Sequence, residues 1–428
     1  MNKVQKSPRV LVGFAEIAGY YSNLFDGFLS LQVDAGYINN TNFRFNYSYT
    51  KNKNPWLLNR YIQYSKTYRE KPSFIKKAAY HLFSLFVLAF VTIRYDVFLL
   101  GCNSTLFGYY DYRLFKFFNK KVIYTSLGSD SRPPYLNGNY KDDSIDKNFN
   151  VYSTLLETKK IKDRIVFFEK YVDYFVTYPQ YAHFNSKKFI NGLYIGFPTK
   201  YAEKRKLDSN RNEIVILHAP TRPNAKGSVI FGKIISELKE EGILINYVEL
   251  RNKTNQEVLE SIKNSDIVLD EIYSDIPLAG LGSEAAMLGV PVIVGGVYSK
   301  FIANDVENEM IPPSVYVSPE EIKNNLRELC LQKELRLKVG DELHKFVNHQ
   351  WNYKKVAQKF LDISSDNFDN KWYYEPNKIS YLNGWGLSED ELRANLISIL
   401  DINGNLDGLF LDTTLLRLKY DDFLRNDK

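Results

Sequence analysis

Gly280-Leu281-Gly282-Ser283-Glu284-Ala285-Ala286-Met287-Leu288-Gly289-Val290-Pro291-Val292-Ile293-Val294-Gly295-Gly296 is the stretch on which the reading of this chain turns. A loop broken by glycines runs into a short helix carrying one acid, and Gly289 then ends that helix before a buried strand. Glycines let the backbone approach a ligand closely, and a helix N-terminus after them offers unpaired N–H groups to phosphate. Gly280, Leu281 and Gly282 are therefore the expected phosphate-facing residues. Glu284, in the first turn, can reach sugar hydroxyls beside that phosphate. The layout is that of a site for an activated sugar nucleotide.

Two βα units upstream, His218-Ala219-Pro220-Thr221-Arg222-Pro223-Asn224-Ala225-Lys226-Gly227-Ser228 leaves a strand, forms a loop with two cations and enters a helix past Gly227. Departure of a nucleoside diphosphate builds negative charge. Arg222 can grip it bidentately while Lys226 supplies a point charge, and fixed cations there lower the barrier to breaking a glycosidic bond.

Short, nearly unbroken apolar runs alternate with helical stretches along most of the 428 residues. Strands are expected at 9–12, 97–100, 121–125 and 174–177, then at 213–218, 245–250, 266–270 and 290–294. Helices are expected from about 21, and at 227–240, 255–264, 282–288, 318–331 and 388–400. This alternation predicts parallel sheets covered on both faces. The polar run from Ile195-Gly196-Phe197-Pro198-Thr199 to Asn212 reads as a linker. The fold class is thus α/β: two doubly wound Rossmann-like domains facing a cleft, with ligands outside the carboxyl ends of the strands. The expected boundaries are an acceptor-binding domain at 1–200, a nucleotide-sugar domain at 201–365, and a partly helical extension at 366–428 that wraps back on the first domain or makes an oligomer contact.

The segment 218–294 resembles GT-B glycosyltransferases, in particular glycosyltransferase family 4, with a looser likeness over about 9–360. The resemblance implies that Arg222 and Lys226 bind the donor diphosphate, although their spacing is one residue shorter than the commonest pattern. It also implies that Glu284, in the context Glu-Ala-Ala-Met-Leu-Gly-Val-Pro-Val, holds the ribose hydroxyls. The family pattern pairs two glutamates eight positions apart, and Ile276 stands where the first is expected. Some related branches carry a strand-end Asp followed by Gln or Glu, so Glu271 and Asp275 are the expected acids at the transferred sugar. Retention of anomeric configuration is what the family implies, and Ile276 bears against it.

In the first domain, Ser126-Leu127-Gly128-Ser129-Asp130-Ser131-Arg132-Pro133-Pro134 follows a buried strand and resembles the Gly-Ser-Asp-x-Arg turn of some family 4 relatives. Asp130 there is a candidate base for an acceptor hydroxyl with Arg132 orienting substrate, or else a turn former. The loop from Gly13 to Gly19 makes Gly13, Glu16 and Gly19 candidates for contact with donor phosphates or acceptor, with Tyr20 and Tyr21 either stacking on a sugar or packing in the core.

The composition narrows the rest. Hydrophobic and charged fractions of 44% and 25% belong to a globular chain. Cys102 and Cys330 give no disulfide framework, and five scattered histidines show no metal-ligand spacing. No metal and no cofactor besides the donor substrate are expected. The N-terminus lacks the apolar run of a signal peptide, and a cytoplasmic location, with contact on the inner face of the membrane, is the expectation. The basic stretch from Lys51 to Lys77 reads as a solvated helix pair, or as a face for an anionic membrane. Ala78–Ile93 is apolar but short for a span, and is expected to be a core helix feeding the next strand. No recognition helix or RNA-binding pattern points to nucleic acid.

Together these readings predict a metal-independent, retaining glycosyltransferase that moves a sugar from a nucleotide-sugar donor to a glycan or lipid-linked acceptor, in the synthesis of a bacterial surface polysaccharide or glycoconjugate. The alternatives are a nucleotide-sugar epimerase and a non-catalytic GT-B subunit that binds a glycan or a partner transferase.

Overall fold

The computed structural model describes residues 7–40, 49–138, 150–205 and 211–425. Part of the expected linker, 206–210, lies outside the described residues.

The first domain is built from β1 (Val10–Phe14), β2 (Ala35–Asn39), β3 (Val97–Gly101), β4 (Lys121–Thr125), β5 (Tyr174–Thr177) and β6 (Phe189–Asn191). Its helices are α1 (Tyr20–Ser30), α2 (Trp56–Glu70), α3 (Phe74–Arg94), α4 (Tyr110–Phe117), α5 (Val151–Tyr171) and the single turn α6 (Gly192–Ile195). Strand alternation sends Leu11 into one apolar layer and Val10 and Val12 into the other. Buried almost throughout, these strands pair in parallel, and most are short runs of mainly apolar residues.

The second domain contains β7 (Ile214–His218), β8 (Ile245–Glu249), β9 (Ile267–Leu269), β10 (Val292–Gly295) and β11 (Val315–Val317). Between and after them run α7 (Pro223–Lys226), α8 (Ser228–Glu240), α9 (Asn255–Lys263), α10 (Gly280–Met287), α11 (Ile322–Leu331) and α12 (Lys333–His349). Strand order is β11-β10-β9-β7-β8, all parallel, around one core from Ile216 to Trp351.

The chain then returns. Thr199 donates its N–H to Trp351 O at 2.7 Å, and Tyr353 N–H donates to Thr199 O at 3.0 Å, so the outgoing and returning segments lie side by side. Helix α13 (Tyr353–Ser364) packs Val356, Ala357, Phe360 and Ile363 among Tyr20, Leu24 and Phe28 of α1. Gly27 permits the contact, because a Cβ there would sit 2.3 Å from Tyr353 O. The expected boundary at 365 therefore falls one helix too late. Strand β12 (Tyr373–Tyr374) joins the first sheet antiparallel to β6, giving the order β12-β6-β5-β4-β3-β1-β2. Helices α14 (Glu389–Asn403) and α15 (Thr414–Arg425) bury Leu392, Leu396, Ile399, Leu416 and Tyr420 in the first domain's core. The C-terminal region is thus structural in the first domain.

One expectation about burial is overturned. Helix α3 buries only Ser84, Val87, Leu88, Val91 and Thr92, and turns Leu82, Phe86 and Ile93 to solvent. A helix that is apolar on every side satisfies its neighbours with one face alone, and composition does not say whether the others are covered.

Both sheets change winding direction at a point where a crevice opens, between β1 and β3 in one and between β7 and β9 in the other. The loops after β1, β7 and β9 face one another there.

Candidate functional site

A cleft of about 230 Å³ is lined by Ala18 of the first domain and, from the second, by residues that include Pro220, Thr221, Lys226, Leu250, Asn252, Lys253, Asn255, Val258, Gly280, Leu281 and Glu284. The loop after β1 thus meets the N-terminus of α10, and a Cβ on Gly280 would lie 3.2 Å from Ala18 Cβ. The first N–H groups of α10 have no partner within the helix, and Gly280 and Leu281 of that turn line this space. A neighbouring cavity of about 160 Å³ shares Ala18, Asn255 and Glu284 and adds Gly19, Ser22 and Asn23 of α1 and its approach.

Glu284 accepts a hydrogen bond from Asn255 Nδ2 at 2.5 Å. Burial pushes its carboxyl up to about 7, with the Asn255 bond opposing. Asn255 opens α9, whose start is fixed by a capping box between Thr254 and Glu257. Nothing in the sequence singled Asn255 out, because its pairing with Glu284 is made only by tertiary packing.

Lys226 lines the cleft, yet its ammonium is taken: it lies 2.8 Å from Asp270 and 3.0 Å from Glu271, all three buried. Burial alone would lower the lysine, but the two carboxylates outweigh it and hold it charged. The acids differ. Burial keeps Asp270 above the usual carboxylate range despite Lys226. For Glu271 burial works in the same direction, but Lys226 and the indole of Trp385 overcome it and hold the group below the usual range. Asp270 also accepts from Gly282 N at 3.3 Å, so a protein carboxylate occupies one donor of the α10 terminus.

Trp385 donates from Nε1 to Glu271 Oε2 at 2.5 Å. Its backbone is pinned to the first domain by Trp385 N–H to Leu136 O at 2.9 Å and Gly138 N–H to Trp385 O at 2.7 Å, and Gly386 N–H reaches Tyr273 O of the second domain at 2.7 Å. The segment around Trp385 therefore runs between the domains. The signal was present in Gly384-Trp385-Gly386: a Cβ at Gly384 would lie 2.0 Å from Leu136 O.

Arg132 and Asp275 join the two domains, with Arg132 Nε and Nη2 donating to Asp275 Oδ2 at 2.8 and 2.5 Å. The guanidinium also lies over the ring of Tyr181, 4.5 Å from its centroid. Burial pushes Asp275 up to about 6 against the pull of Arg132. Its other oxygen is buried with no hydrogen-bond partner among the described residues.

The remaining candidates are placed as follows. Asp130 accepts from Tyr124 Oη and Ser126 Oγ, both at 2.9 Å, and from the N–H groups of Leu127 and Gly128 at 3.3 and 3.2 Å. That is the environment of a turn former. Gly13 lies inside β1, where a Cβ would be 2.0 Å from Ile38 O, so it serves strand packing rather than ligand contact. Gly19 caps α1 at φ +80° beside the smaller cavity. Glu16 is buried and accepts from Ser22 N at 2.8 Å and Tyr37 Oη at 2.9 Å, which anchors the loop. Tyr20 and Tyr21 are core residues. Arg222 is exposed at the start of α7. His218 bonds Leu269 O and Ser228 Oγ, each at 2.9 Å, and burial lowers it to about 4, so it is a neutral structural group.

No protein-family model matches the chain, and no curated protein matches it. Among solved structures, HepE from Anabaena in complex with UDP-glucose is similar at 11% identity, over 84% of this chain and 100% of that one, with a TM-score of 0.46. TarM from S. aureus, in complex with fondaparinux, α-GlcNAc-glycerol and UDP, is similar at 10% identity over 66% and 59%, TM-score 0.44. The catalytic domain of starch synthase IV from Arabidopsis thaliana, bound to ADP and acarbose, is similar at 11% identity over 67% and 76%, TM-score 0.43. Likeness at this level adds nothing to the two sheets themselves. They, with their facing loops, make the chain a two-domain protein of the GT-B fold.

Proposed function

We propose that the chain is a glycosyltransferase that takes its sugar from a nucleotide-sugar donor bound in the cleft at the N-terminus of α10. The observation that carries this reading is the convergence of Glu284 with Asn255, the first turn of α10 at Gly280 and Leu281, and Lys226 on one cleft at the point where the sheets change direction. Pro220, Leu250 and Val258 offer an apolar wall for a base, and Glu284 an acceptor for ribose hydroxyls. From Lys226 a chain of contacts runs through Glu271 and Trp385 to the first domain, beside the Arg132–Asp275 pair. Glu271, held ionised, suits a cation-like transition state at the sugar. Asp275, with one oxygen unengaged among the described residues, suits transfer of the acceptor hydroxyl's proton. Arg222 and Lys226 carry the charge of the leaving diphosphate without a metal. Retention of configuration, a glycan or lipid-linked acceptor, and a place in surface polysaccharide synthesis complete the proposal.

Two observations favour a second reading, a binding subunit without turnover: the Lys226 charge is already met by two carboxylates, and Ile276 stands in place of an acid. Nucleotide release from UDP-, GDP-, dTDP- and ADP-sugars, compared between wild type and Glu284→Ala, separates the two. Release that Glu284→Ala abolishes supports the transferase. Thermal stabilisation by one donor with no release supports the binding subunit. Neither effect with any donor sinks both.

A further inference from the structure

Helices α2 and α3 form a hairpin on the first domain, and most of the outward side of α3 is apolar. Ile75, Leu82, Phe86 and Ile93 are exposed by 80, 69, 63 and 78%. With Ala78 and Ala89 between them, these positions recur every three or four residues and form one continuous stripe. The helix has 21 residues, so the stripe is about 30 Å long at 1.5 Å per residue. Trp56, at the start of α2, is also 69% exposed, with the guanidinium of Arg60 5.4 Å from its ring centroid. Soluble surfaces seldom present so long an unbroken apolar strip unless something covers it.

We propose that this hairpin docks the protein on an anionic lipid bilayer, with α3 lying flat in the headgroup boundary. Charge identifies the occupant. Between Lys51 and Lys77 the chain carries eight lysines and arginines against one carboxylate, Glu70, while Arg94 at the far end of α3 is paired with Asp34. A second copy of the hairpin would bring eight cations against eight, whereas an anionic leaflet attracts them. The orientation follows from the inner face. Val87, Leu88 and Val91 are locked in the first domain's core, and Ser84 Oγ lies 2.9 Å from Tyr61 Oη. A helix held in this way lies on a membrane instead of crossing it, with lysine and arginine stems reaching up beside the apolar strip. The surface is separate from the cleft, and its test involves no turnover.

The experiment is flotation of the full-length protein with vesicles of phosphatidylcholine alone and of phosphatidylcholine with one-third phosphatidylglycerol. Binding is expected to the anionic vesicles only. Leu82→Glu/Phe86→Glu, on the exposed face, is expected to abolish it with the melting temperature unchanged. Lys66→Gln and Lys77→Gln are each expected to weaken it about fivefold, as one lost surface cation does. Salt near 1 M, where the screening length is about 3 Å, is expected to release most of the protein. Failure to bind anionic vesicles overturns the proposal, as does binding that survives Leu82→Glu/Phe86→Glu. A concentration-dependent dimer that the same variant dissolves, without vesicle binding, would assign the face to a second copy and also overturn it.

Discussion

Arg132 and Asp275 form a buried ion pair across the domain boundary, at 2.8 and 2.5 Å, and tie the first domain to the second. Removing one partner leaves the other charge buried and alone, which costs about 3–5 kcal/mol, whereas removing both can be nearly neutral. Arg132→Met and Asp275→Leu are each expected to lower stability by that amount, and Arg132→Met/Asp275→Leu by much less. Denaturant unfolding of the four proteins checks this, and additive losses would show that the pair is not coupled.

Donor binding should depend on the ionisation of Glu284. Burial places its carboxyl at about 7, so the acceptor form for ribose hydroxyls gains population as pH rises through that value. A nucleotide-sugar diphosphate diester loses no proton in this range, so the change belongs to the protein. Affinity, measured by calorimetry, is expected to rise from pH 5.5 to pH 8 in wild type and to stay flat in Glu284→Gln. The stability effect has the opposite sign. A carboxyl raised in the folded state contributes most below its unfolded value, near 4.5, and that contribution is lost as pH rises through about 7.

Lys226→Met separates stability from ligand binding. It strands Asp270 and Glu271 in the interior without their shared cation, and is expected to cost about 3 kcal/mol or more. Adding Asp270→Leu should restore much of the melting temperature. If donor affinity recovers with it, Lys226 acts by positioning the acids. If stability returns and affinity does not, the ammonium itself meets the diphosphate.

Trp385→Phe keeps a ring between the domains but removes the indole N–H that Glu271 accepts. A hydrogen bond to a charged group contributes about 1.5–3 kcal/mol, so turnover is expected to fall at least tenfold with the fold intact. The missing donor had held Glu271 low, and the acidic limb of the pH profile should therefore move to higher pH. An unchanged limb would show that Glu271 does not titrate in the reaction.

Deleting residues 366–428 is expected to yield insoluble protein. The deletion strips Leu396, Ile399, Leu409, Leu411 and Tyr420 from a core they share with Tyr135 and Phe168. A soluble, monomeric truncation would show that this packing is dispensable.

The parts of the fold legible beforehand were those whose residues carry their own signal. Lys121–Thr125 and Tyr174–Thr177 are apolar runs and are strands over the residues expected. Ala35–Asn39 contains Gly36 and Asn39 and reads as nothing in particular, because pairing with β1 makes it a strand. Glu284 could be placed from its flanking glycines, whereas the claim of Asp270 and Glu271 on Lys226 depends on how β9 and α7 come together. Asp130 shows the same limit in reverse: the turn was readable, but the four donors that engage its carboxylate were not.

The return of the chain to its first domain has a consequence for synthesis. A ribosome releases the second sheet and all its covering helices while the first still lacks α13, β12, α14 and α15. The half begun first is therefore the half finished last. Nascent chains stalled just after residue 350 has cleared the exit tunnel should carry a protease-resistant second domain behind an N-terminal domain that still exposes its apolar faces, the species most in need of a chaperone.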